Sequence, residues 1–318
     1  MSENRAGAGR YAPSPTGDFH LGNLRTAVLA WAFARRAGLR FVIRMEDLDE
    51  RSRPEFVTTQ LRDLESIGIT WDEPVIFQSE RLGLYRDVFT ELQRQGLLYE
   101  CYCTRKELAE VASAPHRPPG SYPGTCRDLT EAEREAGRAK LAGMSRGPAL
   151  RLRTDVHTLA VRDEIAGLYE GAVDDLVIRR GDGVYSYNFV SVVDDADHGV
   201  TQIVRGDDLL PSTPRQVYLQ RRLGTETPAY LHVPLVLNRE GIRLAKRDGA
   251  VTLRALAGYG WEPGDVVELI GQSLAIDGAR TAQDIAEALD IDRLRHGPWL
   301  VDPTELEQGP RYLRATTT

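Results

Sequence analysis

Cysteine is scarce in this chain: three residues among 318, an odd number, all between positions 101 and 126. So few thiols exclude a disulfide-stapled fold, and a chain of this length, about two domains, buries enough surface without staples. No apolar run approaches the roughly 18 residues that cross a bilayer. The polar opening from Met1 to Arg10 lacks the hydrophobic stretch of an export signal. A soluble cytoplasmic protein with no membrane role is expected. Positive charge is not in excess either: 40 Lys and Arg stand against 47 Asp and Glu, a net charge of −7. That excludes coating nucleic acid through a global positive field, so any RNA contact must use a local basic face. Internal repeats and long low-complexity tracts are missing as well.

What is present reads as alternating strands and helices. Leu24, Ala27, Val28 and Trp31 fall at helical spacing, with Gly38 as the stop, and Phe41 to Met45 reads as a strand. Pro54 opens a helix toward Ser66. Ser79 is expected to cap a third helix, with Leu82, Tyr85, Val88, Phe89 and Leu92 apolar before Gly96. This pattern predicts an α/β fold with a Rossmann-like parallel sheet. It changes near Tyr99: residues 99–180 read as an insertion, with a Thr130–Glu133 capping box and strand-like runs at Ala149–Leu152 and Leu176–Ile178. The α/β pattern resumes at Tyr185–Val193 and Gln202–Val204. The tail from Val251 reads as a short helical segment carrying Val266, Val267, Leu269 and Ile270.

Three groups of residues carry chemistry. The string from Arg10 to Asn23 holds Pro13, Pro15, Gly17 and Gly22 and then runs into a helix, so free N–H groups and the helix dipole favour a phosphate there. Thr16 and His20 add side-chain donors. The stretch from Leu235 to Gly249 is a basic turn bearing Arg239, Arg243, Lys246 and Arg247, and Gly241 and Gly249 give it freedom to close. The three thiols of Cys101, Cys103 and Cys126 suggest a structural zinc site, with Tyr122 or His116 as fourth ligand. No Ser-His-Asp set is evident.

Taken whole, Ala12-Pro13-Ser14-Pro15-Thr16-Gly17 followed by His20-Leu21-Gly22-Asn23 resembles the first signature of class I aminoacyl-tRNA synthetases. The Ala-Pro-Ser-Pro-Thr-Gly part resembles their glutamyl and glutaminyl branch. The resemblance implies that Lys246 stands where the family's Lys-Met-Ser-Lys-Ser loop contacts ATP. Here Arg243 replaces the first lysine and Ala245 the serine. It implies His20 and Lys246 as catalytic residues, and Thr16, His20, Gly22, Asn23, Arg243 and Lys246 around ATP, which arrives with Mg²⁺. It further implies Arg10, Ala12, Ser14, Glu46, Tyr187 and Arg205 around L-glutamate. A forked guanidinium at Arg10 and Arg205 suits the side-chain carboxylate, and Glu46 suits the ammonium.

Cys-x-Cys followed by Tyr122-x-x-x-Cys126 resembles the zinc ligands of the truncated glutamyl-tRNA synthetase paralogues. Only Asp248 to Thr318 follow the lysine loop, too few for an anticodon-binding domain, and this too matches those paralogues. Their activity implies transfer of glutamate to the queuosine base of tRNA(Asp) rather than to a terminal ribose. The expected organisation is a catalytic core in two halves, 1–98 and 181–250, interrupted by the 99–180 insertion with zinc and RNA-acceptor roles and closed by a helical segment at 251–318. A monomer is expected. Two other readings stay open: a truncated enzyme charging a tRNA 3′ end, and a non-catalytic relative that binds nucleotide or RNA as a regulator.

Overall fold

The computed structural model describes residues 7–104, 106–108, 122–244, 251–294 and 297–311. The chain opens with β1 (Ala8–Tyr11), α1 (Leu21–Arg36), β2 (Arg40–Met45), α2 (Pro54–Ser66), β3 (Ile76–Phe77) and α3 (Leu82–Arg94). β1, β2 and β3 pair in parallel. α1 lies almost wholly inside, from Leu21 through Ala34. Helical spacing had marked one face of it; a second apolar layer buries the other. Gly9 shows how close the helix comes: a Cβ built there would lie 2.6 Å from the Cβ of Ala34. Gly9→Val is therefore expected to destabilise the protein by about 1–3 kcal/mol, measured as a lower urea midpoint with unchanged slope.

Ser79 does not cap α3. It sits in a 3-10 turn, Gln78–Arg81, where its amide and hydroxyl both donate to Asp47, at 2.8 and 2.6 Å. These bonds hold Ser79 to the loop after β2, and α3 starts only at Leu82, with Arg81 at its N-cap position. α3 itself buries Tyr85, Phe89 and Leu92 and ends before Gly96, which has φ +69°.

Between α3 and the second half of the sheet the chain adds β4 (Leu98–Cys101), α4 (Glu131–Ala142), β5 (Ala149–Leu152), β6 (Thr158–Asp163), β7 (Gly167–Ala172) and β8 (Val177–Arg179). The Thr130–Glu133 capping box starts α4 as expected. β4, β5 and β8 form a separate three-stranded antiparallel sheet, whereas the β6–β7 hairpin joins the edge of the main one.

α5 (Tyr187–Asp197), β9 (Val200–Gly206), α6 (Thr213–Leu223) and β10 (Ala229–Val233) complete a seven-stranded sheet of order β3-β2-β1-β9-β10-β6-β7. It is parallel except for the antiparallel β6–β7 pair, so the fold is α/β with a mostly parallel sheet.

The remaining elements are β11 (Val236–Leu237), α7 (Leu253–Ala257), α8 (Pro263–Gln272), α9 (Ala282–Ala288), β12 (Trp299–Leu300) and α10 (Pro303–Leu306). They cover the outer face of α1: Val266, Val267, Ile270 and Ile285 share its apolar cluster, and β12 pairs with β11.

Candidate active site

β1 leads to β2 and β3 on one side, while β9 and β10 lie on the other. The sheet therefore reverses its direction of growth between β1 and β9, and α/β sheets bind ligands beyond the carboxyl ends of strands at such a point. A cleft of about 780 Å³ opens there, lined from the ends of β1, β2, β9 and β10 and from the start of α1. Arg10, Ala12, Ser14, Thr16, His20, Gly22, Asn23, Glu46, Tyr187, Arg205 and Arg243 all line it. Residues separated by more than two hundred positions meet in one cavity.

The first loop is held from several directions. Gln60 of α2 donates its amide to the carbonyls of Ser14 and Gly17, at 3.2 and 2.7 Å. The Tyr11 hydroxyl donates to Asn23 O at 3.1 Å. His20 is the N-cap of α1, and its Nδ1 accepts from the amides of Gly22 and Asn23 at 3.1 and 3.3 Å. Two N–H groups expected to await a phosphate are therefore taken by the imidazole. That same bonding places the neutral ring's proton on Nε2. A Cβ on Gly22 would come within 3.0 Å of the His20 ring, so the glycine makes room for the cap.

The acid and base pairs behind the cleft form one buried network. Arg44 Nη1 donates to Asp195 at 2.5 Å and Nη2 to Glu46 at 3.3 Å, while Arg10 Nε reaches Asp195 at 3.4 Å. Ser191 Oγ donates to Glu46 at 3.3 Å. Burial pushes the Glu46 carboxyl above its ordinary range, with Arg44 and then Arg10 pulling the other way. Burial also works against the charge of Asp195, but Arg44 and Arg10 outweigh it and hold that carboxyl below its ordinary range. Asp194 is fully buried and takes bonds from Gln78, Arg81 and Tyr85, which locks α5 to α3.

Arg205 ends β9 at the cleft. It does not pair with Asp207 or Asp208; its Nε donates to His232 and its Nη2 to Thr213, at 3.0 and 2.8 Å. Asp208 instead pairs with Arg243 at 2.6 Å. Tyr187 is not a core aromatic, since it is 41% exposed at the cleft wall.

Lys246 and Ala245 lie outside the described residues, but both flanks of their loop are fastened beside the first signature. Leu244 is buried against the cleft, and Val251 O accepts from Leu21 N at 2.8 Å.

The cysteine cluster lies apart from the cleft, at the end of β4. The thiol sulfurs of Cys101, Cys103 and Cys126 sit within 4.8 Å of one another. Cys103 and Cys126 are 3.6 Å apart, far beyond a disulfide bond. The Tyr122 hydroxyl stands 3.5 Å from Cys101 Sγ, and Tyr102 N donates to Cys126 Sγ at 3.4 Å. Three thiolates so close repel one another unless a cation sits between them, so this cluster has the donor set of a metal site. His116 lies outside the described residues.

Arg44, Asp194, Asp195, Gln60, Asp163 and His232 carry structural weight at the cleft that motif reading left unassigned. For two of them the signal was present: Asp194 and Asp195 close an apolar run, where acids demand buried partners.

The chain matches the family described as "tRNA synthetases class I (E and Q), catalytic domain" over residues 8–308. It is 54% identical over 302 residues to the glutamyl-Q tRNA(Asp) synthetase of Nocardia farcinica, covering 95% of each chain. With glutamate--tRNA ligase 1 of Alkalilimnicola ehrlichii the identity is 38%, over 93% of this chain but 63% of that one. The crystal structure of a glutamate tRNA ligase from Elizabethkingia meningosepticum, in complex with its amino acid, superposes with a TM-score of 0.76 at 25% identity. That match covers 95% of this chain and 68% of the other. Family match, fold and cleft agree, and the chain belongs to the class I tRNA synthetases of the E and Q group, whose catalytic domain it carries.

Proposed function

We propose that this enzyme activates L-glutamate with ATP as glutamyl-adenylate and transfers the glutamyl group to the queuosine base of tRNA(Asp). The observation that carries the reading is the convergence of the expected glutamate residues and of Thr16, His20, Gly22, Asn23 and Arg243 on one cleft at the sheet's switch point. The acceptor follows the stronger likeness, 54% against 38%.

In the first step an oxygen of the glutamate α-carboxylate bonds to the α-phosphorus of ATP. The bond from that phosphorus to the bridging oxygen breaks, and pyrophosphate leaves with the electron pair. The nucleophile is already an anion, so no general base is required, and catalysis rests on positioning and on cations facing the phosphates. Mg²⁺ enters with ATP as part of the substrate. Thr16, His20 Nε2–H, Gly22, Asn23, Arg243 and Lys246 surround the nucleotide. Arg10 and Arg205 hold the side-chain carboxylate, with Ala12 and Ser14 shaping the loop beside it. Tyr187 closes that wall. Glu46 receives the ammonium, whose charge offsets the burial that raises its carboxyl.

Cys101, Cys103, Tyr122 and Cys126 would hold a structural zinc ion, since zinc favours thiolate ligands and the three sulfurs already lie within 4.8 Å of one another. Zinc there would join β4 to the segment before α4.

The test is glutamate-dependent ATP–pyrophosphate exchange without RNA, followed by transfer to tRNA(Asp) with and without queuosine. Equal charging of both RNAs would indicate the 3′ end as acceptor and overturn the base as target. Arg205→Ala should raise the KM for glutamate by roughly 30- to 1,000-fold, about 2–4 kcal/mol, while leaving the KM for ATP near wild type. Wild-type activation of glutamine as readily as glutamate would contradict recognition by charge.

A further inference from the structure

Behind Arg205 lies a chain of buried groups that the adenylation chemistry does not itself require. Arg205, His232 and Asp163 are 5%, 2% and 2% exposed. Arg205 Nε donates to His232 Nε2 at 3.0 Å, and His232 Nδ1 lies 2.6 Å from Asp163 Oδ2. A guanidinium nitrogen only donates and a carboxylate oxygen only accepts. The two contacts therefore permit one form of the ring: neutral, with its proton on Nδ1 and the Nε2 lone pair turned to Arg205. Burial lowers the His232 pKa, against the pull of Asp163, which favours that neutral form. Thr213 Oγ1 accepts from Arg205 Nη2 at 2.8 Å and lies 3.2 Å from the same Nε2. The Tyr230 ring stacks on the imidazole, and the guanidinium carbon stands 5.3 Å from its centre.

We propose that Asp163 and His232 are positioning residues for glutamate recognition, with Asp163 selecting the imidazole tautomer that aims Arg205 into the cleft. Asp163 is well placed for this. It ends β6, and its Oδ1 accepts from the amides of Ile165 and Ala166 at 2.9 and 2.7 Å in the hairpin turn. Oδ2 is thereby left to face His232, taking its backbone amide at 3.1 Å as well as its ring. The β6–β7 hairpin falls within the segment expected to form an insertion, yet through this contact it reaches the amino-acid end of the cleft. The proposal rests on the reading that Arg205 holds the glutamate side chain.

The chemistry makes distinct demands on each substitution. In Asp163→Asn the two turn amides keep the amide oxygen on their side, which turns the NH₂ toward His232. The ring must then accept at Nδ1 and carry its proton on Nε2, facing a donor. This is the wrong-tautomer logic that disables a catalytic triad when its aspartate becomes asparagine. His232→Ala removes the acceptor outright. His232→Gln places a side-chain oxygen near the position of Nε2 and restores an acceptor without an imidazole.

The experiment is pyrophosphate exchange with separate KM values for glutamate and ATP, alongside melting temperatures, for these three variants and Arg205→Ala. Asp163→Asn and His232→Ala are expected to raise the glutamate KM by about ten- to hundredfold with little change in ATP KM or kcat. His232→Gln should return to within about threefold of wild type. If Arg205→Ala raises the glutamate KM while Asp163→Asn and His232→Ala leave it unchanged, the positioning role is overturned and the site assignment stands. If Arg205→Ala itself has no effect on glutamate, the site assignment falls first. Failure of His232→Gln to recover, with its melting temperature at wild type, would also overturn the tautomer argument.

Discussion

Lys246→Ala is expected to slow glutamate-dependent pyrophosphate exchange by about two to three orders of magnitude, the usual range for removing one electrostatic stabiliser. Negative charge moves onto the leaving pyrophosphate as its bond to the α-phosphorus breaks. A lysine that meets this charge mainly in the transition state contributes to kcat and little to substrate binding. Its loop is anchored beside the cleft on both sides, by Leu244 and by the bond from Leu21 N to Val251 O. The glutamate KM should stay near wild type because Arg10, Glu46, Tyr187 and Arg205 approach from other elements. Ala245→Ser, which restores the family's hydroxyl, should change the rate within about tenfold, the scale of one hydrogen bond. Near-normal exchange by Lys246→Ala would remove this loop from the phosphate site.

Loss of zinc is expected to unfold the β4–β5–β8 region before the seven-stranded core, since a structural zinc ion contributes on the order of 10 kcal/mol to local folding. The residues around the cluster explain why the loss would spread. Arg151 lies with its guanidinium carbon 3.6 Å from the centre of the Tyr122 ring, and it also donates to Asp175 O at 2.7 Å. The Asp175 carboxylate accepts from the Tyr99 hydroxyl, from Thr154 and from Arg127. A displaced Tyr122 would strip Arg151 of its aromatic face, and Cys126→Ser should act the same way. Differential scanning calorimetry should resolve two transitions in the chelated or substituted protein where the intact protein gives one. Metal analysis that finds much less than one zinc per chain, after purification without chelator, would refute the assignment.

The site was legible in the sequence to the extent that its chemistry is local. Pro13, Pro15 and Gly17 beside His20 and Gly22 define a loop running into a helix, and short-range spacing determines such a unit. Clustering of every cysteine between positions 101 and 126 likewise marked the three thiols that the fold gathers within 4.8 Å of one another. Apolar spacing placed α1 and α3, because helix periodicity repeats within a few residues, and Pro54 marked the start of α2.

Other features depended on distant partners. Periodicity showed one buried face of α1, but only the packing of α8 and α9 explains why the opposite face is apolar too. Ser79 has the composition of a cap, yet Asp47, which is remote in sequence, claims its hydroxyl and amide. The expected phosphate-binding amides of α1 turned out to be capped by His20, since a ring nitrogen two residues away competes for them at no cost in chain entropy. By itself the sequence determined the α/β class, the first loop and the clustering of the three cysteines, and it proposed the residues for glutamate and ATP that line one cleft. The tertiary structure alone decided that Arg205 leans on His232 and that Asp195 receives both Arg10 and Arg44. Those pairings are set by strand order and by the cost of burying an unpaired charge, and each joins residues far apart in the chain.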